Sequence, residues 1–368
     1  MTVLTQDLLD RIRSRAAGYD RDNAFFTEDL DELRAAGYLA PRSLLETAND
    51  QRMLAAHAPA TALAINMHLV WVGVARVLKD RGDDSLQWVL DDAASGELFA
   101  FGNSEQGNDL VLWDSLTTAD PVEGGYAFTG TKIFTSLSPA WTRLGIFGKH
   151  SGTQGDSLIH GFITRDTPGW HAKDDWDTLG MRATQSQSTV LDGAFVPDAR
   201  VARILPVGPS ADPFIFGIFS NFLLLVGSVY AGIADRALEL AVSAVKRRTS
   251  LKTGTTYDQD PDFRWRIADA ALALDALAPQ LESLAADVDG LVDHGADWFR
   301  YLTGAKHRAT ESARYVVDQA MRSAGGSGYR ADSELSRLQR DVLAGIYHPS
   351  DTESIHSTVA ANLLGPLA

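Results

Sequence analysis

The chain has 368 residues, 45% of them hydrophobic and 22% charged, the make-up of a globular protein with two or three domains' worth of sequence. A net charge of −15 argues against nucleic acid or an anionic membrane surface as partner, since either needs a basic face. Cysteine is absent, which removes disulfides, thiolate metal sites and cysteine nucleophiles and fits a reducing, cytoplasmic setting.

Residues 1–95 read as an N-terminal helical domain. The opening "MTVLTQDLLDRIRSRAA" has amphipathic spacing and lacks the apolar core of a signal peptide. "TEDLDELRAAGYLAP" carries an acidic first turn, then glycine and proline as stop signals. "PATALAINMHLVWVGVARVLKDRG" is a long, mostly apolar helix. The texture changes over residues 96–211, where "GGYAFTGTKIFTS" and "QSTVLDGAFVP" alternate with period two between turn residues. This segment is expected to form a central antiparallel β-barrel domain. Helical periodicity returns over 212–368, expected to be a C-terminal four-helix-bundle domain with breaks at "TGTTYDQDPD" and "SAGGSGY". Its uncharged run "FIFGIFSNFLLLVGSVYAGIA" is long enough to cross a bilayer, but Asp212 and Asp235 flank it and the helical pattern continues beyond. A buried bundle helix is the better reading.

The chain is thus a multidomain α+β protein. Neither dinucleotide nor triphosphate loop fingerprints are present, and the nine histidines lack ligand spacing, so no metal is expected. By pattern alone Phe134 is one more strand residue, Arg247 a cation near a helix C-terminus, and Gly325–Gly326 a helix-ending turn.

Three segments in order, "FAFGNSEQGND…GYAFTGTKIFTS", "DTLGMRATQSQSTVLDGAFVP" and "AGGSGYRADSELSRLQRD", resemble the acyl-CoA dehydrogenase superfamily, and with the helical flanks the resemblance spans essentially the whole chain. It implies a flavoprotein, binding FAD or FMN between β domain and bundle, usually as a homotetramer or dimer. It also implies a small-molecule substrate and a flavin reductase or electron-transfer acceptor as redox partner. On the matched motifs, Phe134 would flank the flavin ring, Thr135, Ser136 and Ser104 would lie at its polar edge, and Arg247, Gly325 and Gly326 would meet its phosphates. Arg182 of the Leu-Gly-Met-Arg run would lie on the substrate side. The family's Phe-Gly after the arginine is Ser250-Leu251 here.

Acyl-CoA dehydrogenation needs a general base, which in the family is almost always a glutamate. The family's usual glutamate position, eight residues after Asp341, is Pro349, and the position used by a second subgroup holds Phe222, leaving that residue as a substrate contact. In "SDTE", Ser350 is expected to cap the next helix with Glu353 returning the bond. What remains is His348, which matches a histidine of the superfamily's two-component flavin-dependent monooxygenases. At a helix C-terminus the carbonyl dipole favours an imidazolium by about 0.3–1 kcal/mol, up to about 2 when partly buried. His348 is therefore expected to exchange a proton near pH 7, with His68 on its apolar helix and Ser136 as further catalytic groups. The expected function is a reduced-flavin monooxygenase-like oxidoreductase. The alternatives are an acyl-CoA or acyl-carrier dehydrogenase with an unconventional base, and a non-catalytic helical assembly protein.

Overall fold

A computed structural model describes every residue except 1, 154, 366 and 368. Five helices come first: α1 (Gln6–Asp22), α2 (Thr27–Ala35), α3 (Leu44–Ala55), α4 (Pro59–Asp80) and α5 (Gln87–Ala94). The Thr5 hydroxyl accepts from the Leu8 amide to start α1, and Asn23 in the left-handed region stops it. α4 opens on Pro59, whose missing N–H costs nothing in a first turn, and it is apolar all round because it is buried all round.

Eight strands follow: β1 (Phe99–Gly102), β2 (Thr118–Val122), β3 (Gly125–Thr135), β4 (Arg143–Gly152), β5 (Gly155–Thr164), β6 (Trp170–Ala172), β7 (Gln187–Pro197) and β8 (Val201–Pro206). They form one sheet in the order β6-β7-β3-β2-β4-β5-β8, with β1 parallel to the first half of β4. The expected closed barrel is corrected: the sheet is open. Closure would require a ladder between β6 and β8, and β6 offers three residues, already paired to β7. α4 packs on β1, where the Trp71 indole donates to the Ala100 carbonyl and the ring meets Phe101, Phe162 and Phe214 at centroid distances of 4.7–6.0 Å. This aromatic cluster joins the N-terminal helices, the sheet and the first C-terminal helix, each fully buried ring contributing on the order of 1.5–3 kcal/mol.

The C-terminal half contains α6 (Pro213–Arg247), α7 (Pro261–Asp275), α8 (Leu277–Asp289), α9 (Asp297–Ala324), α10 (Glu334–Val342) and α11 (Thr352–Leu364), with a 3-10 turn at Leu343–Ile346. α6 is the central member: its apolar run is buried against α3, α4 and α9, so protein packing accounts for the hydropathy. The cap of α11 is also corrected. Asp351, not Ser350, is the N-cap, accepting from the Ser354 amide, while Ser350 takes a left-handed conformation at φ 51° and Glu353 is exposed in the first turn.

Candidate functional site

The end of β3 is pinned by a buried ion pair. Lys132 and Glu105 meet at 2.6 Å with side chains 0% and 1% exposed. Burial works against charge on Glu105, but Lys132 outweighs it, together with donors from Ser115, Leu116, Thr117 and Asn108, and holds the carboxyl at about 2. One residue back, the Ser104 carbonyl accepts from the Ile133 amide at 2.9 Å. The β1–β2 loop is thereby fastened beside Phe134, Thr135 and Ser136.

Backbone strain concentrates here. Among the described residues eight non-glycine positions have positive φ, and five of them, Asn23, Phe134, Leu137, Met181 and Gln185, lie in one connected network. Gln185 donates to the Asn23 carbonyl, Asn23 to Trp176, and the Leu137 amide to Thr184, while the Phe134 ring stands edge-on to Trp176 at 6.2 Å. Each such conformation costs on the order of 1–2 kcal/mol, so surrounding bonds must enforce it, and such clusters mark functional sites. Phe134, at φ 57°, is held 53% exposed.

Ser136 is buried and heads a chain of hydroxyls whose direction can be deduced. Thr184 donates to the Met181 carbonyl, which can only accept. Ser186 must then donate to Thr184 and Ser136 to Ser186, both at 2.7 Å. Ser136 keeps its hydroxyl proton turned inward and offers its neighbourhood lone pairs. The Thr135 hydroxyl accepts from Thr189 at 3.1 Å and keeps its own proton for another acceptor.

His348 lies two residues past the 3-10 turn rather than on the last turn of an α-helix. Its Nε2 is 2.8 Å from the Tyr230 hydroxyl of α6. Lys306 of α9 reaches the carbonyls of Gly345, His348 and Ser350 at 3.3, 3.1 and 2.9 Å, so a lysine occupies the place where a helix-end dipole was expected to favour imidazolium. The expectation of a proton exchanger near pH 7 is corrected. Burial, and then the Lys306 charge, lower the imidazole to about 3. The residue keeps partial exposure, which softens the shift, but both causes act in one direction and the ring is neutral.

His68 is corrected as well. It is fully buried, its Nε2 2.8 Å from the Leu39 carbonyl and its Nδ1 accepting from the Phe99 amide at 3.2 Å, with burial lowering it to about 4. It is a neutral tether between α4, β1 and the chain after α2, with no nitrogen left for catalysis. Arg182 is largely committed to the protein, donating to the Asp20 and Thr178 carbonyls and to Asp177. It lines a cavity of about 10 Å³ with Tyr19, Thr61, Arg337 and Asp341, space for one water at most. Phe222 is stacked on Phe101 at 6.0 Å, an aromatic pair at the end of β1.

Arg247 lies elsewhere, in a cleft of about 300 Å³ with Ser327, Gly328, Asp332 and Glu334, and none of Phe134, Thr135 or Ser136 lines that cleft. Gly325 has φ 63° and ψ −155°, a conformation other residues avoid, and an added Cβ would meet the Arg248 guanidinium at 3.1 Å. Its role is therefore to end α9, and Gly326 faces open space. Four residues escaped the sequence reading. Lys306 interrupts the apolar stripe Leu302–Ala305–Ala309–Ala313, and Tyr230 brings a hydroxyl into the apolar stretch of α6; both interruptions were visible. Trp176 gave no signal, and neither did Asn103, a buried carboxamide with both polar atoms unpaired beside Ser104.

An exposed aromatic wall under strain, flanking hydroxyls and an unpaired buried carboxamide suit a planar heterocycle with a polar edge. The family described as "Acyl-CoA dehydrogenase, C-terminal domain" matches residues 224–350. The Bacillus subtilis (strain 168) protein YdbM, named as an acyl-CoA dehydrogenase, is 26% identical over 96% of this chain and 94% of its own. The amino sugar nitrososynthase RubN8 of Streptomyces rubradiris is 29% identical over 60% of this chain, an alignment spanning 53% of that relative. Among solved structures, KijD3 in complex with FMN and a dTDP-amino-keto sugar superposes with a TM-score of 0.83 at 25% identity, covering 98% of this chain and 92% of that one.

Proposed function

Because this chain belongs to the acyl-CoA dehydrogenase superfamily and is a flavin-dependent oxidoreductase of it, we propose that its reaction is an oxygenation rather than the dehydrogenation of a thioester. The observation that carries this reading is the identity of the group at the 345–350 turn. Proton abstraction next to a carbonyl needs a general base, and this turn offers no carboxylate, only an imidazole that burial and Lys306 hold far below its ordinary basicity, followed by Pro349. A bound FMN or FAD, reduced by a separate reductase, supplies the electrons for oxygen.

The chain's own residues bind, orient and shield. Phe134 and Trp176 wall the ring, while Ser136 offers its lone pairs and the buried Thr135, bonded to Thr189, backs the strand end. Asn103 offers both a donor and an acceptor that the protein leaves unused. Phe222 and Phe101 close the apolar side on which a small molecule would lie. We read α6, α7, α8 and α9 as a four-helix bundle that assembles into a dimer or tetramer, with Arg247 facing the phosphates of flavin held by a second copy. The nitrososynthase relative and the KijD3 complex make a primary amine on a small sugar-like molecule the first substrate class to test.

The length of the YdbM match favours a second reading, thioester dehydrogenation with an unconventional base. The two separate cleanly. Anaerobic mixing of the flavin-loaded protein with a panel of acyl-CoA thioesters should leave the flavin spectrum unchanged, whereas oxygen uptake with enzymatically reduced flavin should become amine-dependent. Thioester bleaching of the flavin would sink the oxygenase reading in favour of the second.

A further inference from the structure

The 343–350 turn is fixed by three devices that share one consequence. Gly345 lies against the Tyr230 ring so closely that an added Cβ would stand 2.9 Å from Tyr230 Cε1 and 3.0 Å from Thr310 Cγ2. Lys306 gathers three carbonyls of the turn from the α9 side. Tyr230, 0% exposed, places its hydroxyl 2.8 Å from His348 Nε2. The hydroxyl has no other partner, because among the described residues this is its single hydrogen bond. If Nε2 carried the imidazole proton, the tyrosine oxygen would accept and its own buried proton would have no acceptor, at a cost comparable to a lost hydrogen bond. Tyr230 must therefore donate and Nε2 must accept. In a neutral imidazole the proton then resides on Nδ1. Among the described residues that nitrogen makes no hydrogen bond, and it is not among the fully buried polar atoms left without a partner.

We infer that Tyr230 is a positioning residue: it fixes His348 as the Nδ1–H tautomer and presents that N–H outward as a hydrogen-bond donor. The inference deepens the oxygenase reading and rests on it for the donor's purpose, which is to hold an electron-rich oxygen or nitrogen atom of flavin or substrate. Lys306 and Gly345 hold the turn so that the donor has one direction. His348 neither abstracts nor delivers a proton in this arrangement.

The test is a long-range ¹H–¹⁵N correlation spectrum of the purified full chain labelled with [¹⁵N]histidine, with His348 assigned by its disappearance in His348→Gln. The expected wild-type pattern is a protonated Nδ1 and an aprotic Nε2. Tyr230→Phe keeps the ring and removes the donor, and should move the tautomer ratio toward Nε2–H by about five- to tenfold, what one neutral hydrogen bond supports. A wild-type spectrum with Nε2 protonated overturns the inference, and so does a folded Tyr230→Phe variant with an unchanged ratio. Should that variant not fold, the wild-type tautomer alone decides. The measurement needs no flavin, so failure of flavin binding or of amine-dependent oxygen uptake would sink the functional reading while leaving the tautomer result standing.

Discussion

Replacing Lys132 by Met would leave the Glu105 carboxylate buried with four of its five donors and no counter-ion. Breaking a buried pair from one side costs about 3–5 kcal/mol, because the surviving charge was taken out of water for a partner that has gone. Lys132 also stands over the Phe147 ring at 4.3 Å, a contact that Met largely replaces, so the charge dominates. The loss should be read from urea unfolding followed by tryptophan fluorescence. Adding Glu105→Leu to Lys132→Met should recover only part of it, since the buried charge is gone but the Leu116 and Thr117 amides lose their acceptor. The pH dependence has a definite sign. Glu105 is held below its ordinary range, so its contribution is present in full above about pH 4.5 and fades as pH falls toward 2. The difference between wild type and Lys132→Met should shrink over that window. A Lys132→Met protein within about 1 kcal/mol of wild type at pH 7 would refute the account of how the β1–β2 loop is held beside β3.

Phe134→Gly relieves a left-handed aromatic residue, so stability should change by less than about 1 kcal/mol, relief of strain offsetting added chain entropy, while flavin affinity falls at least about tenfold by fluorescence titration. Because burial and Lys306 keep His348 neutral, His348→Gln should lower oxygen uptake without removing any inflection between pH 5 and 8. An inflection in that range that vanishes with the histidine would show that it titrates after all.

Legibility in the sequence followed the range of the interactions. The period-two texture of "GYAFTGTKIFTS" and the apolar run of α6 became a strand and a buried helix because alternation and helical stripes are properties of a few consecutive residues. The open sheet was not legible. Whether β6 meets β8 depends on ladder lengths across the 28 residues between Ala172 and Val201, and nothing local to "WHA" announces that it stops at three. The cap at Asp351 differed by one residue from the expected Ser350 because Lys306, distant in the chain, draws the Ser350 carbonyl into the turn.

His348 shows the division most clearly. The absence of a carboxylate at Pro349 and Phe222 was fixed by residue identity, and it is the ground for proposing an oxygenation. The charge state of the imidazole was not. Local reasoning placed His348 on a helix end and gave it a proton. Packing placed it under Tyr230 and beside Lys306, and desolvation there exceeds anything the dipole of one turn can supply. Residue types and periodicities set which groups were available and which elements carried them. Only the approach of α6, α9 and the 343–350 turn decided protonation and direction, because both depend on burial and on partners more than forty residues away.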